Sequence, residues 1–429
     1  MFFLFLLFLH EGHAPVEPLE TGEILARIQT LQKRADAQPE SLYGWNQLGE
    51  AYLQLGQVTA AHSLFHQADD CFQKALKLVP ENKTARYGQV RALMGIHRFH
   101  EALAALRPLG QGPDVDPIFS ELYFDLHFAL GNASEAYALA RLLVLEHPSF
   151  QSDIRLAQIL AYFGQNEQAR SLLGQWEKDP KIAPFQRAWC ATRIGDSWLA
   201  SDAKQADAAY DRALELDPAC HYAHLQIAKL DCASGHAADA VQRLSQVVNS
   251  NPRPEFRLQL ADALRQNHQP IPAANMLKEL AQILQSEVDA GDWGHVRLLC
   301  EVWRRLDIQP EQQIVLLEKE RREIRKDREG IIALGWALLT AGQYDSACNL
   351  FQEGAQDAGI TPEYLWPMAQ ALRLAKRQVP ARYLVQRLEH MPSGYLNSET
   401  QTIATDLMAW SQTSPPIPTL VRNTPQTGR

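Results

Sequence analysis

The chain has 429 residues, 46% of them hydrophobic, enough for two or three ordinary domains or one long repeat array. Its net charge is -9 and no basic stripe stands out, which excludes the electrostatic footprint of a nucleic-acid binder. Ala, Leu and Gln dominate and strand formers do not cluster, so the chain reads as helical.

The N-terminus reads "MFFLFLLFLHEGHAPVEP". Eight apolar residues, Phe2 to Leu9, are too few to span a bilayer. They resemble the centre of a signal peptide without its basic start and cleavage site. The expectation is an exported, periplasmic protein, with a cytoplasmic protein bearing an apolar extension as the other reading. "HEGH", His10 to His13, is a dense cluster of metal-ligand types but lacks the H-E-x-x-H spacing. It reads as a polar junction, with a weak transition-metal contact as the alternative. Residues 1–20 are therefore set apart from the folded region.

A first helix is expected from about Glu23 to Ala37, capped by Thr21 and ending before Pro39. It occupies 21–41 as a leading half-repeat. "GWNQLGEAYLQLGQ" then places Trp45, Leu48, Gly49, Tyr52 and Gly56 along a second helix. The stretch from Ala60 to Pro80 carries one pattern twice, Ala61–Phe65–Ala68 and Ala68–Phe72–Ala75, seven residues apart. Seven residues are two helical turns, so this reads as one unbroken helix from about Thr59 to Val79. Its extra turns would project beyond the body of the protein, and a chain lacking His62 to Ala68 should fold with near-native stability, losing only what the projection touches.

The same small residue recurs further on. Ala68, Ala102, Ala136, Ala169, Ala206, Ala240, Ala273, Ala347 and Ala381 are spaced 34, 34, 33, 37, 34, 33, 74 and 34 apart. The long gap holds two further helical patterns, around 293–306 and 311–326. This makes 42–287 a run of about seven repeats, 288–327 a divergent one and 328–395 two more. Gly56, Gly131, Gly164, Gly235 and Gly342 fall just after first helices, where a left-handed residue ends a helix. Gly49 and Gly335 leave room where two helices cross. Ser398, with Gln401 three residues on, opens a capping helix over 396–410. The proline-bearing tail 411–429 reads as disordered.

These residues resemble the tetratricopeptide repeat, a helix–turn–helix family, over about 40–395. The resemblance implies an all-α solenoid with a right-handed superhelical twist. It also implies a concave groove lined by first helices. On the family's inward-facing positions stand Tyr43, Asn46 and Glu50, then Tyr87 and Arg91, then Asp125 and Phe128, then Tyr222 and Lys229, and finally Trp336. Trp189 is groove-facing in the same register, whereas Trp45, Trp176 and Trp198 fall on core positions. A mixture of aromatic, amide and charged groups suits an extended peptide or partner helix. Glu50 argues against capture of a C-terminal carboxylate at this end.

No phosphate loop, dinucleotide fingerprint or nucleophile elbow occurs, and "PDVDP" is too short for a calcium loop. The six cysteines form no C-x-x-C or zinc spacing and read as small core residues. The charged run Glu318–Glu329 reads as a solvated helix face. No catalytic residue, cofactor or metal ligand is assigned. The expectation is a non-enzymatic scaffold for protein or peptide partners, with no membrane span, in bacterial envelope assembly or maturation. The alternative is a metal-handling or regulatory subunit associated with an enzyme such as a transferase.

Overall fold

The computed structural model describes residues 21–59, 61–110, 116–354, 361–389 and 398–413. The apolar octamer, "HEGH", most of "PDVDP" and residues 414–429 lie outside them, whereas residues 411–413, expected in the disordered tail, extend the last helix. Among the described residues every regular element is helical. α1 (Thr21–Ala37) leads. There follow α2 (Leu42–Thr59) with α3 (His62–Leu78), α4 (Lys83–Gly95) with α5 (Phe99–Leu106), and α6 (Pro117–Leu130) with α7 (Ala133–Glu146). Next come α8 (Phe150–Tyr162) with α9 (Asn166–Lys178), α10 (Pro184–Trp198) with α11 (Ala203–Leu216), and α12 (His221–Ala233) with α13 (Ala237–Ser250). Then come α14 (Pro254–Gln266) with α15 (Pro270–Asp289), and α16 (Val296–Leu306) with α17 (Pro310–Glu323). The last pairs are α18 (Arg328–Thr340) with α19 (Tyr344–Gly354) and α20 (Pro362–Leu374) with α21 (Gln378–Leu388), followed by α22 (Ser398–Thr413). Each helix packs on the next, which makes an α-solenoid.

The packing follows the small residues. All nine alanines of the 34-residue register are buried. Gly131, Gly164, Gly235 and Gly342 hold positive φ at the turns between paired helices. Local chemistry starts several helices: Asn82 accepts from the Ala85 amide at 2.7 Å, and the Ser149 hydroxyl and Ser152 form a reciprocal capping box. Proline occupies the first turn of α6, α10, α14, α15, α17 and α20, where its missing N–H costs nothing.

The doubled alanine–phenylalanine pattern has a different outcome from the one expected. The chain turns near Ala61, so helix α2 is longer and α3 starts at His62. Gly56 lies inside α2 instead of ending it. Neither pattern projects. The Phe72 ring sits between Gly49 and Gly88, and the Phe65 ring sits between Gly56 and Gly95. Each glycine pair is matched to its ring at the same heptad offset, so α2, α3 and α4 share two layers of contact in place of one. Phe65, Ala68, Phe72 and Ala75 are all buried. The inserted heptad is core, which corrects the single projecting helix, and its removal is now expected to cost stability.

After roughly six repeat lengths, at 34 residues each, the solenoid meets itself. Arg253 Nη2 donates to the Gln57 carbonyl at 2.7 Å, across 196 residues. His66 Nε2 lies 2.6 Å from Asp292 Oδ1, across 226 residues. The Lys326 amide donates to the Leu130 carbonyl at 3.1 Å, and Arg328 Nη1 donates to the Tyr162 carbonyl at 3.2 Å. This seam joins helix pairs near the front of the chain to α14, the α15–α16 loop and the start of α18. Residues Glu318–Glu329 are drawn into it only in part. Glu320, Arg325 and Asp327 are buried, which corrects the solvated-face reading for those three, while Arg322 is exposed.

Candidate functional site

The concave side holds a cleft of about 830 Å³. Phe128, Tyr162, Trp189 and Trp336 all contribute to its lining. Charged groups of both signs line it as well, among them Arg193, Asp196, Lys229, Glu301 and Arg304. First helices supply most of this lining, because second helices pack outside them. Volumes of this size suit several side chains of a bound segment.

The expected groove residues divide. Phe128, Lys229 and Trp336 line the cleft. The Phe128 ring stacks on Phe124 and meets Tyr162 edge-on, with centroids 5.8 Å and 5.4 Å away. Trp336 is half-buried and carries the Arg304 guanidinium 4.6 Å above its ring. Burial pulls the Arg304 pKa down to about 10, with neighbouring Arg305 acting in the same direction. Burial also lowers the Lys229 ammonium, which Asp196, Glu301 and Glu363 counteract.

Other members are committed within the chain. Arg91 is buried and pairs with Glu50 at 2.9 Å, and its guanidinium lies 5.3 Å from the Tyr87 ring centroid. Burial raises the Tyr87 phenol to about 12. Arg155, fully buried, joins Asp125 at 2.8 Å and Glu121 at 3.0 Å. Burial raises both carboxyls despite that guanidinium. Asn46 Nδ2 donates to Asn82 Oδ1 at 3.3 Å, the same oxygen that caps α4. Tyr222 packs edge-on to Phe256 and reaches Glu255 at 3.5 Å, and burial lifts its pKa to about 12. Tyr43 is 70% exposed and lies outside the cleft lining. Asp125 and Arg91 thus serve first as inter-repeat links.

Arg193, Asp196, Glu301 and Arg304 went unassigned in the sequence. The "EVWRRLD" stretch of the divergent repeat carries the last two, and its register offered no family position to read. Trp189, placed on the groove by the sequence register, lines the cleft but is only 6% exposed. Trp45 is buried, while Trp176 and Trp198 are partly buried against neighbouring helices. All six cysteines are free thiols; five are buried and Cys232 is half-buried. No helix among the described residues is long and apolar enough to cross a membrane.

The fold and cleft together define an all-α solenoid of tetratricopeptide-like helix–turn–helix repeats. No family model matches the sequence, and no curated protein matches it. Among solved structures the chain is similar to the APC/C hetero-tetramer Cut9–Hcn1. That match has 14% identity and a TM-score of 0.42, and it covers 90% of this chain and 81% of the other. The class rests on the chain's own helix pairing, buried alanine register and glycine turns.

Proposed function

We propose that the chain is a non-enzymatic scaffold whose concave cleft takes an extended peptide segment of a partner protein. The observation that carries this reading is the cleft itself, lined by Phe128, Tyr162 and Trp336 together with charges of both signs. Rings supply apolar area at low entropy cost, and the charges fix register. The intramolecular pairs Glu50–Arg91 and Asp125–Arg155 leave the segment around Phe128, Lys229 and Trp336 as the contact region. We place the protein in the bacterial envelope, supported by the apolar run Phe2–Leu9. A phosphatase fusion active only in the periplasm tests that placement.

Peptides selected from a display library against the purified full chain test the cleft. Selected peptides should lose about tenfold or more in affinity for Trp336→Ala, the loss typical of a truncated aromatic anchor, at unchanged helix content. Unchanged affinity in both Trp336→Ala and Lys229→Gln would remove the cleft as the binding site.

A further inference from the structure

A histidine cluster at the seam borders the cleft, whose lining includes His97 and His295. His62 opens α3, and His295 immediately precedes α16. Their rings stack with centroids 4.5 Å apart and planes 15° apart. His295 Nδ1 lies 2.7 Å from a Glu287 carboxylate oxygen. One ligand atom from each of His62, Glu287 and His295 falls within 4.8 Å of the other two. His97 stands beside them, its ring 5.9 Å from that of His62. His62 and His97 are 5% and 8% exposed, and the Nδ1 of each has no hydrogen-bond partner. Unpaired buried nitrogens are costly, so each calls for a polar partner, whether water or a bound ion.

We propose that His62, Glu287 and His295 bind a divalent transition-metal ion of the zinc class, which pins the first helix pair to the α15–α16 loop. Two imidazoles and one carboxylate are a borderline-soft donor set suited to such ions. Charge favours a cation. Glu287 and Asp292 bring two carboxylates, and Glu287 sits near the C-terminal, negative end of α15. The nearby guanidiniums of Arg297 and Arg325 are neutralised by Glu320 and Asp327. The N-terminal ends of α3 and α16 oppose a cation, and the two carboxylates offset them. Space is kept by Gly294, where a Cβ would meet His62 Nε2 at 2.9 Å and His97 Cδ2 at 2.7 Å. Any larger residue there would close the approach. Ligation of one ion requires the stacked imidazoles to turn so that their nitrogens converge on it.

The test uses the full chain with His10→Ala and His13→Ala, which removes "HEGH" as a competing site. The chelator-stripped protein is titrated with cobalt(II), then with zinc(II). One equivalent of cobalt should give the visible bands of a low-coordinate site, and zinc should displace it. His62→Gln and Glu287→Gln should each weaken uptake by about tenfold or more. Zinc should raise the melting temperature of the parent and leave that of both variants unmoved. If His62→Gln loses helix content, Glu287→Gln decides, because its amide keeps the contact to His295. No cobalt uptake by the parent, or unchanged affinity in Glu287→Gln, overturns the proposal and makes the stack plain packing.

Discussion

The Leu130 carbonyl accepts the amide of Lys326 at 3.1 Å, and the next residue, Gly131, has no room for a side chain because the Lys326 backbone covers it. Gly131 holds φ +86° and Gly164 holds φ +75°, yet nothing lies within 4 Å of a Cβ added at Gly164. The pair separates the cost of a left-handed backbone from the cost of opening the seam. Gly164→Ala should lose about 1 kcal/mol, the left-handed penalty alone. Gly131→Ala should lose about 2 kcal/mol more, through overpacking against backbone. Denaturant melts measure both, and hydrogen exchange at Lys326 should rise only in the Gly131 variant. Equal losses at the two sites would show that the seam adds no stability.

Gly335 faces the Phe351 ring so closely that any Cβ would overlap it. Gly335→Leu should therefore destabilise the protein by about 3 kcal/mol or more. Adding Phe351→Ala should recover part of the loss, since the space then exists. A circular-dichroism melt unchanged in Gly335→Leu would contradict this crossing.

Phe65 fills the second layer between α2 and α4. Phe65→Ala should cost about 3–5 kcal/mol, as for other buried rings. Deleting His62–Ala68 should unfold the front of the chain, because Gly56 and Gly95 would face empty space. A deletion variant melting at the parent temperature would mean that the inserted heptad is dispensable.

Asp327 gives the pH dependence. Burial alone would raise its carboxyl, but the Arg297 and Arg325 guanidiniums and the Gly330 amide hold it well below the usual range. A depressed carboxyl contributes stability that is complete above the unfolded value of about 4 and is lost as pH falls below it. Asp327→Asn should cost about 3 kcal/mol at neutral pH, because Arg297 loses a buried partner. The stability gap between wild type and variant should then narrow steadily below pH 4. A constant gap across that range would assign the acid sensitivity to other carboxyls.

Much of the architecture was legible because a helical repeat writes its packing into local spacing. Ala136 and Ala240 are buried where the register put them, and Gly131 ends its helix as its position required. Gly56 misled because its role depends on Phe65, whose helix started later than its pattern implied. Family positions identified Phe128, Lys229 and Trp336 as inward-facing. They could not show that Asp125 and Arg91 are already paired, since Arg155 and Glu50 lie a repeat away in sequence. The seam left no periodic signal at all. His62 and His295 are more than two hundred residues apart, and neither sits on a position the repeat constrains.

Open solenoids behave as soft springs, whose repeats part from the ends inward. Here the Gln57–Arg253, His66–Asp292 and Leu130–Lys326 contacts hook one coil onto the next. Pulled from its termini, such a spring gives little until the hooks release, then lengthens abruptly. Its interior gauge is thereby held until the coil unhooks.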